Sequence, residues 1–110
     1  MIPDTIEKIE ARLRENVSLK EENRLELLAL LEKLRSEVGE LARTNADQAS
    51  SITGFAALST HEATREEKNP QLAELSRRGL QSSVEGFEES HPRLVQVVNA
   101  ISNALANLGI

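Results

Sequence analysis

Leu27, Leu31, Leu34, Val38 and Leu41 recur at intervals of four, three, four and three, and no proline stands between Pro3 and Pro70 to stop a helix. That spacing is a heptad seam, the pattern of helices that pack along their length. Continued in phase, it reaches Asn45, Gln48, Ile52 and Phe55. A helix break ordinarily resets the phase, so the continuity predicts one long helix over about residues 19–67. Gly39, Gly54 and the Ser/Thr-rich stretch 44–60 are poorer helix formers and mark where an interruption would fall. Unbroken, this helix would run to roughly 70 Å at 1.5 Å per residue. A compact domain of this chain length has a radius of gyration of only about 13 Å. The seam would then project beyond its own monomer and require a second chain to cover it. Leu27, Leu28, Leu30 and Leu31 widen the stripe near its start, which suits more than two helices packing there.

The flanking segments read as shorter amphipathic helices. Asp4 followed by Glu7 has capping-box spacing, and Ile2, Ile6, Ile9 and Leu13 follow on one face of a helix over about 4–15. Ser18 to Glu21 repeats the capping pattern before the long helix. Asn69 can cap and Pro70 suits a first helical position, opening a helix over about 70–89 that carries Leu72, Leu75, Leu80, Val84 and Phe87. The residue before a proline is pushed away from helical dihedrals, so His91-Pro92 closes that helix and starts the last one, 92–108. There Leu94, Val98, Ile101, Leu105 and Leu108 repeat the four-three-four-three spacing.

Composition narrows the class. Phe55 and Phe87 are the only rings, and Leu, Glu and Arg are abundant, a mix that favours helix over sheet. The net charge is −5 without a long run of one sign. There is no basic stripe to neutralise phosphates and almost no ring for a base to stack on, so nucleic acid is not an expected partner. With no cysteine, thiolate metal sites, disulfides and cysteine nucleophiles are excluded. No signal-like segment precedes the first helix, and the uncharged stretch 94–110 is short and amide-rich for a membrane span, so a cytoplasmic protein without membrane contact is expected.

Few residues invite chemistry. His61-Glu62 begins like a metalloprotease motif, but Arg65 stands where the second histidine is needed, and a guanidinium repels a cation. Its plainer reading is a solvated helix face. Glu88, Glu89 and His91 are the weak candidates for a divalent ion, against the reading of a helix corner set by Pro92. No nucleophile elbow or phosphate-cradling glycine loop is present, so no catalytic residue and no cofactor is expected, and the chain reads as non-enzymatic.

The last helix has no charged side chain after Arg93, although 28% of the chain is charged. Gln96, Asn99, Asn103 and Asn107 form a ladder beside its apolar stripe, which suggests a partly buried helix contact. Gly109 followed by Ile110 has the pattern of a Schellman stop. The run Phe87-Glu88-Glu89-Ser90-His91-Pro92, with Ala104-Leu105-Ala106-Asn107-Leu108-Gly109-Ile110, resembles the C-terminal signature of a bacterial family of short helical proteins, domain-of-unknown-function family 4404. The short first helix and the Leu-rich second are similar to it less specifically, and 44–68 is longer than that family's usual connection. The resemblance implies a small helical cytoplasmic protein and supplies no activity, substrate or catalytic residue.

The resulting expectation is one all-α domain over 1–110: an elongated helical hairpin or bundle that self-associates, with the dimer as the expected state. Leu27, Leu31, Leu34, Val38, Leu41, Asn45, Gln48, Ile52, Phe55, Leu94, Val98, Ile101, Leu105 and Leu108 would form its interface. Asn45 and Gln48 would either fix register there or lie exposed past the end of the seam. Another helical protein is a further candidate partner. The alternative function is a regulatory bundle that binds a small ligand or a divalent ion through His91 with Glu88 or Glu89.

Overall fold

The computed structural model describes residues 2–108 as five α-helices. They are α1 (Ile2–Glu15), α2 (Glu21–Ala42), α3 (Ala46–Thr64), α4 (Pro70–Ser82) and α5 (Pro92–Ala106). No strand occurs among the described residues. The class is all-α, but the chain is not elongated: it spans 38 × 24 × 21 Å with a radius of gyration of 13.0 Å. That is the radius of a compact domain of this length.

The predicted continuous helix is broken in two, and Asn45 is the reason. Leu41 closes the last turn of α2 by accepting from the backbone N–H groups of Thr44 and Asn45. Asn45 then leaves helical dihedrals, with φ −149°, and its side chain accepts from the N–H of Gln48 at 3.1 Å. An asparagine that satisfies free first-turn amides is worth more as an N-cap than as a seam residue. The chain therefore turns back at residues 43–45, and α3 returns over α2.

Folding back removes the need for a second chain along the seam. Leu27, Leu31, Leu34, Val38 and Leu41 are fully buried within the monomer, as are Ile52, Leu94, Val98, Ile101 and Leu105. They join Ile6, Ile9 and Leu13 of α1 and Leu80 and Val84 of the α4 region in one core. α2 packs against α1, α3 and α5, while α3 also packs against α1, α4 and α5. The two heptad-like stripes thus face elements of their own chain. The interface expected of these residues is corrected to an intramolecular core.

The helix ends differ from the sequence reading in instructive ways. α1 starts before Asp4, which lies in its first turn, where a carboxylate suits the positive end of the helix dipole. Ser18 does not cap α2. Its N–H and hydroxyl both donate to Asn16 Oδ1, at 3.0 and 2.9 Å, in a turn of its own. The N-cap is Lys20, which makes no side-chain capping bond. α4 is capped as expected, with Asn69 Oδ1 accepting from the N–H groups of Gln71 and Leu72. It stops at Ser82 rather than 89, because the turns that follow include Gly86 at φ 91°, a conformation that favours glycine. The expected stop at Gly109-Ile110 lies outside the described residues.

Two arginines tie the first helices together. Arg24 on α2 donates to the backbone carbonyls of Leu13, Asn16 (2.8 Å) and Leu19 (3.1 Å), satisfying the free carbonyls where α1 ends. Arg35 pairs at 2.5 Å with the buried Glu10, joining the middle of α2 to α1. No helix among the described residues is long and apolar enough to cross a membrane.

Candidate functional site

The candidate metal residues lie in the turn region between α4 and α5 and do not converge. Glu88 Oε1 accepts from the N–H of Gly86 at 2.9 Å, and both Glu88 and Glu89 are exposed. His91 precedes α5 without a capping bond, has Nδ1 3.0 Å from Ser90 Oγ, and meets Phe87 edge-on with ring centroids 5.8 Å apart. Among the described residues, no group of three or more acidic, cysteine or histidine side chains is placed to hold a metal ion. The local fold makes this segment a helix corner.

One end of the bundle carries a polar cluster that the sequence reading missed. His61 Nδ1 lies 2.8 Å from Arg12 Nη1, bridging the last turns of α1 and α3. Beside it the buried Glu62 pairs with Arg65 at 2.9 Å. Asn16 donates to the carbonyl of Thr64 at 3.4 Å, and Lys68 to the carbonyl of Leu108 at 2.8 Å. Arg12, Asn16, His61, Arg65 and Lys68 line an open groove of about 890 Å³. Three helices end here, α1, α3 and α5, and their last carbonyls are a concentration of partial negative charge. Asn16 and Lys68 donate to carbonyls here, Arg65 is paired with Glu62, and Arg12 is engaged with His61. The cluster is built to close helix ends, and its cations are engaged within the chain.

A second groove, of about 510 Å³, runs between α2 and α5 past Leu30, Lys33, Glu37, Arg93, Gln96 and Val97. The amide ladder expected to be partly buried is not covered by the chain: Gln96, Asn99, Asn103 and Asn107 are all exposed.

The α3–α4 face is different in kind. Four of the six exposed large apolar side chains among the described residues lie on it: Phe55, Leu58, Leu72 and Leu75. Two contacts set the register of this helix pair. Gln48 Nε2 donates to the carbonyl of Ser83 at 2.6 Å, and the Phe55 ring lies directly on Gly79. Continuing that antiparallel register sets Leu58 opposite the turn of α4 that carries Leu72 and Leu75. A Cβ added at Gly79 would stand 2.5 Å from Phe55 Cδ1, so glycine is what lets the ring approach the α4 backbone. Of the predicted interface residues, Phe55 is thus exposed on this face, Gln48 ties α3 to α4, Asn45 caps α3, and Leu108 is half-buried.

Two signals for this surface were already present in the sequence. Between Asp47 and His61, α3 contains no ionisable side chain. Leu72 and Leu75 sit three apart and off the Ala73, Ser76 and Leu80 stripe that is buried on α4. A family model described as Domain of unknown function (DUF4404) matches residues 27–110, from within α2 to the end of the chain. The chain belongs to that family. No curated protein and no solved structure matches it.

Proposed function

We propose that this family member is a non-enzymatic interaction module that associates with its own copy, as a dimer in the simplest case, and so offers helix faces to a further helical protein. The observation that carries this reading is the outer surface left over once the core is closed. It gathers large apolar side chains on the adjoining faces of α3 and α4, with no ionisable group on the α3 side, and a patch of that kind on a small domain marks a contact surface more often than an accident of packing. The groove at the bundle end supports the non-enzymatic half, because its basic groups face helix carbonyls, a neighbouring ring or a neighbouring carboxylate. The divalent-ion alternative draws no support from Glu88, whose carboxylate is turned onto the Gly86 amide.

Sedimentation velocity over a range of chain concentrations tests the reading. A sedimentation coefficient that rises with concentration towards that of a two-chain particle is the expected result. A single species of one chain from low micromolar to sub-millimolar concentration would refute it.

A further inference from the structure

The geometry points to one surface for this association: the outer face of α3, crossing its own copy at Gly54 about a two-fold axis, with Phe55, Leu58, Leu72 and Leu75 packed around the crossing. This inference rests on the self-association proposed above and specifies where it occurs.

Gly54 is the first argument. It stands in the middle of α3 and is exposed, and a Cβ built on it would meet nothing within 4 Å. The fold therefore has no use for its missing side chain, although glycine in a helix interior costs stability relative to alanine. Gly39 on α2 is equally open, but its neighbours one turn away are Arg35, Ser36, Ala42 and Arg43, two of them cationic. The neighbours of Gly54 are Ser50, Ser51, Ala57 and Leu58. Small residues at the centre of an exposed apolar patch let a second helix backbone come close.

The choice of occupant follows from charge. The chain carries −5 overall, so two copies repel weakly wherever acidic surfaces meet. The α3 face is free of that cost, since Asp47 and His61 bound a stretch with no ionisable group. An acidic or basic partner would find nothing there to complement it. On the α4 side the flanking charges are Glu74 and Arg78, one of each sign and both exposed, and on the α1 side they are Lys8 and Arg12, which line a groove with Ala57 and Thr60. A two-fold axis makes such a rim reciprocal, because each copy offers both signs to the other. An uncharged centre with a rim that carries both signs is matched by its own copy, and a second copy is the partner that presents it.

The area agrees with a weak to moderate dimer. Phe55, Leu58, Leu72 and Leu75 are 36%, 45%, 42% and 63% exposed. At roughly 200 Å² per large side chain, they leave on the order of 400 Å² of apolar surface. That is about half of what one partner contributes to a standard interface of roughly 800 Å² per side, with the serines, Gly54 and the Glu74–Arg78 rim supplying the remainder. The α5 amide face is uncharged as well but exposes no large apolar side chain, which makes it the control surface.

Three variants compared with wild type test the inference together by sedimentation equilibrium and by oxidative cross-linking. Gly54→Arg points its side chain into open space in the monomer, so at low concentration it keeps the wild-type fold and unfolds no earlier than wild type, while placing two guanidinium groups at the axis. It is expected to remain one chain at concentrations where wild type is two. Gly54→Cys, in a chain without native cysteine, is expected to form a disulfide-linked dimer much faster than Asn99→Cys on α5. A dimeric wild type that Gly54→Arg does not dissociate, or that cross-links faster through Asn99→Cys, would overturn the surface and leave self-association standing. A wild type that stays monomeric throughout would overturn both.

Discussion

Replacing Gly54 by alanine adds one methyl group to the outer face of α3, and its effect on the monomer can be worked from two numbers. The first is intrinsic: alanine is better than glycine in a helix interior by about 0.8–1.0 kcal/mol. The second is the space available, and at Gly54 a Cβ meets nothing within 4 Å, so neither a clash nor a new contact alters that gain. Gly54→Ala should stabilise the monomer by about 1 kcal/mol, or about 4 °C in Tm for a domain of this length. The same substitution at Gly79 has the same intrinsic gain, but its Cβ would sit 2.5 Å from Phe55 Cδ1. Ordinary contact needs about an ångström more, so the ring must swing off the α4 backbone. Phe55 is already 36% exposed and has room to move. Exposing a further 50–100 Å² of ring, at about 25 cal/mol per Å², costs roughly 1–2.5 kcal/mol. Gly79→Ala should therefore be neutral to destabilising by about 1 kcal/mol, and the two variants should differ by at least 1 kcal/mol. Urea denaturation followed by circular dichroism, at low micromolar concentration and again at tenfold dilution, separates this from any effect of association. If Gly79→Ala stabilises as much as Gly54→Ala, the Phe55 ring does not lie on Gly79 and the description of this face fails.

Other perturbations test the fold that positions the face. Leu34→Ala, at a fully buried position in α2, should cost about 2–5 kcal/mol. Because the seam is intramolecular, chemical denaturation should give the same cost at every chain concentration; a cost that grows on dilution would restore the seam to an interface. Asn45→Ala removes the cap whose Oδ1 accepts from Gln48 N–H and should cost about 1 kcal/mol with no change in mass by light scattering. A change of oligomeric state in that variant would mean that Asn45 does set register. Arg24→Ala leaves the carbonyls at the end of α1 without their donors. It should cost about 2–3 kcal/mol, and amide exchange should accelerate first in α1; uniform acceleration over all five helices would show that Arg24 does not hold α1 in particular.

Much of the fold was legible because local chemistry and burial agreed. Asn69-Pro70 announced a helix start and makes one, with Asn69 capping two amides. Pro92 likewise opens α5. Leu27, Leu31, Leu34 and Leu41 of α2 and Leu94 and Leu105 of α5 are buried as their stripe predicts, but periodicity records only that a stripe is covered and not which chain covers it. The error turned on Asn45. It falls in phase with Leu41 and Ile52, so it reads as a polar seam residue, yet its side chain serves the backbone three residues on. Once the helix breaks there, α3 covers the seam and the argument from excess length disappears.

The surfaces were harder to read for a related reason. His61 was assigned to a solvated helix face because it lacked a metal-binding pattern. The partner of His61 is Arg12, 49 residues away, which leaves no short-range signature, and the i,i+3 spacing of Glu62 and Arg65 is visible in the sequence but not the burial of Glu62. The exposed α3–α4 patch was concealed by its own periodicity. Phe55, Leu72 and Leu75 extend apolar stripes whose other members are core, and only the tertiary register shows that these fall on the outer shoulder of the stripe.

This chain closes its own core, and its proposed contact with a second copy runs through α3 and α4. A dilution series of ¹H–¹⁵N correlation spectra tests it most directly, because each backbone amide reports its own surroundings. Amides of residues 50–58 and 71–79 should shift progressively with concentration, while those of 27–41 in α2 and 94–107 in α5 stay fixed. Shifts centred on the α2 seam or on the α5 amide face, or no shift anywhere up to sub-millimolar concentration, would contradict the account.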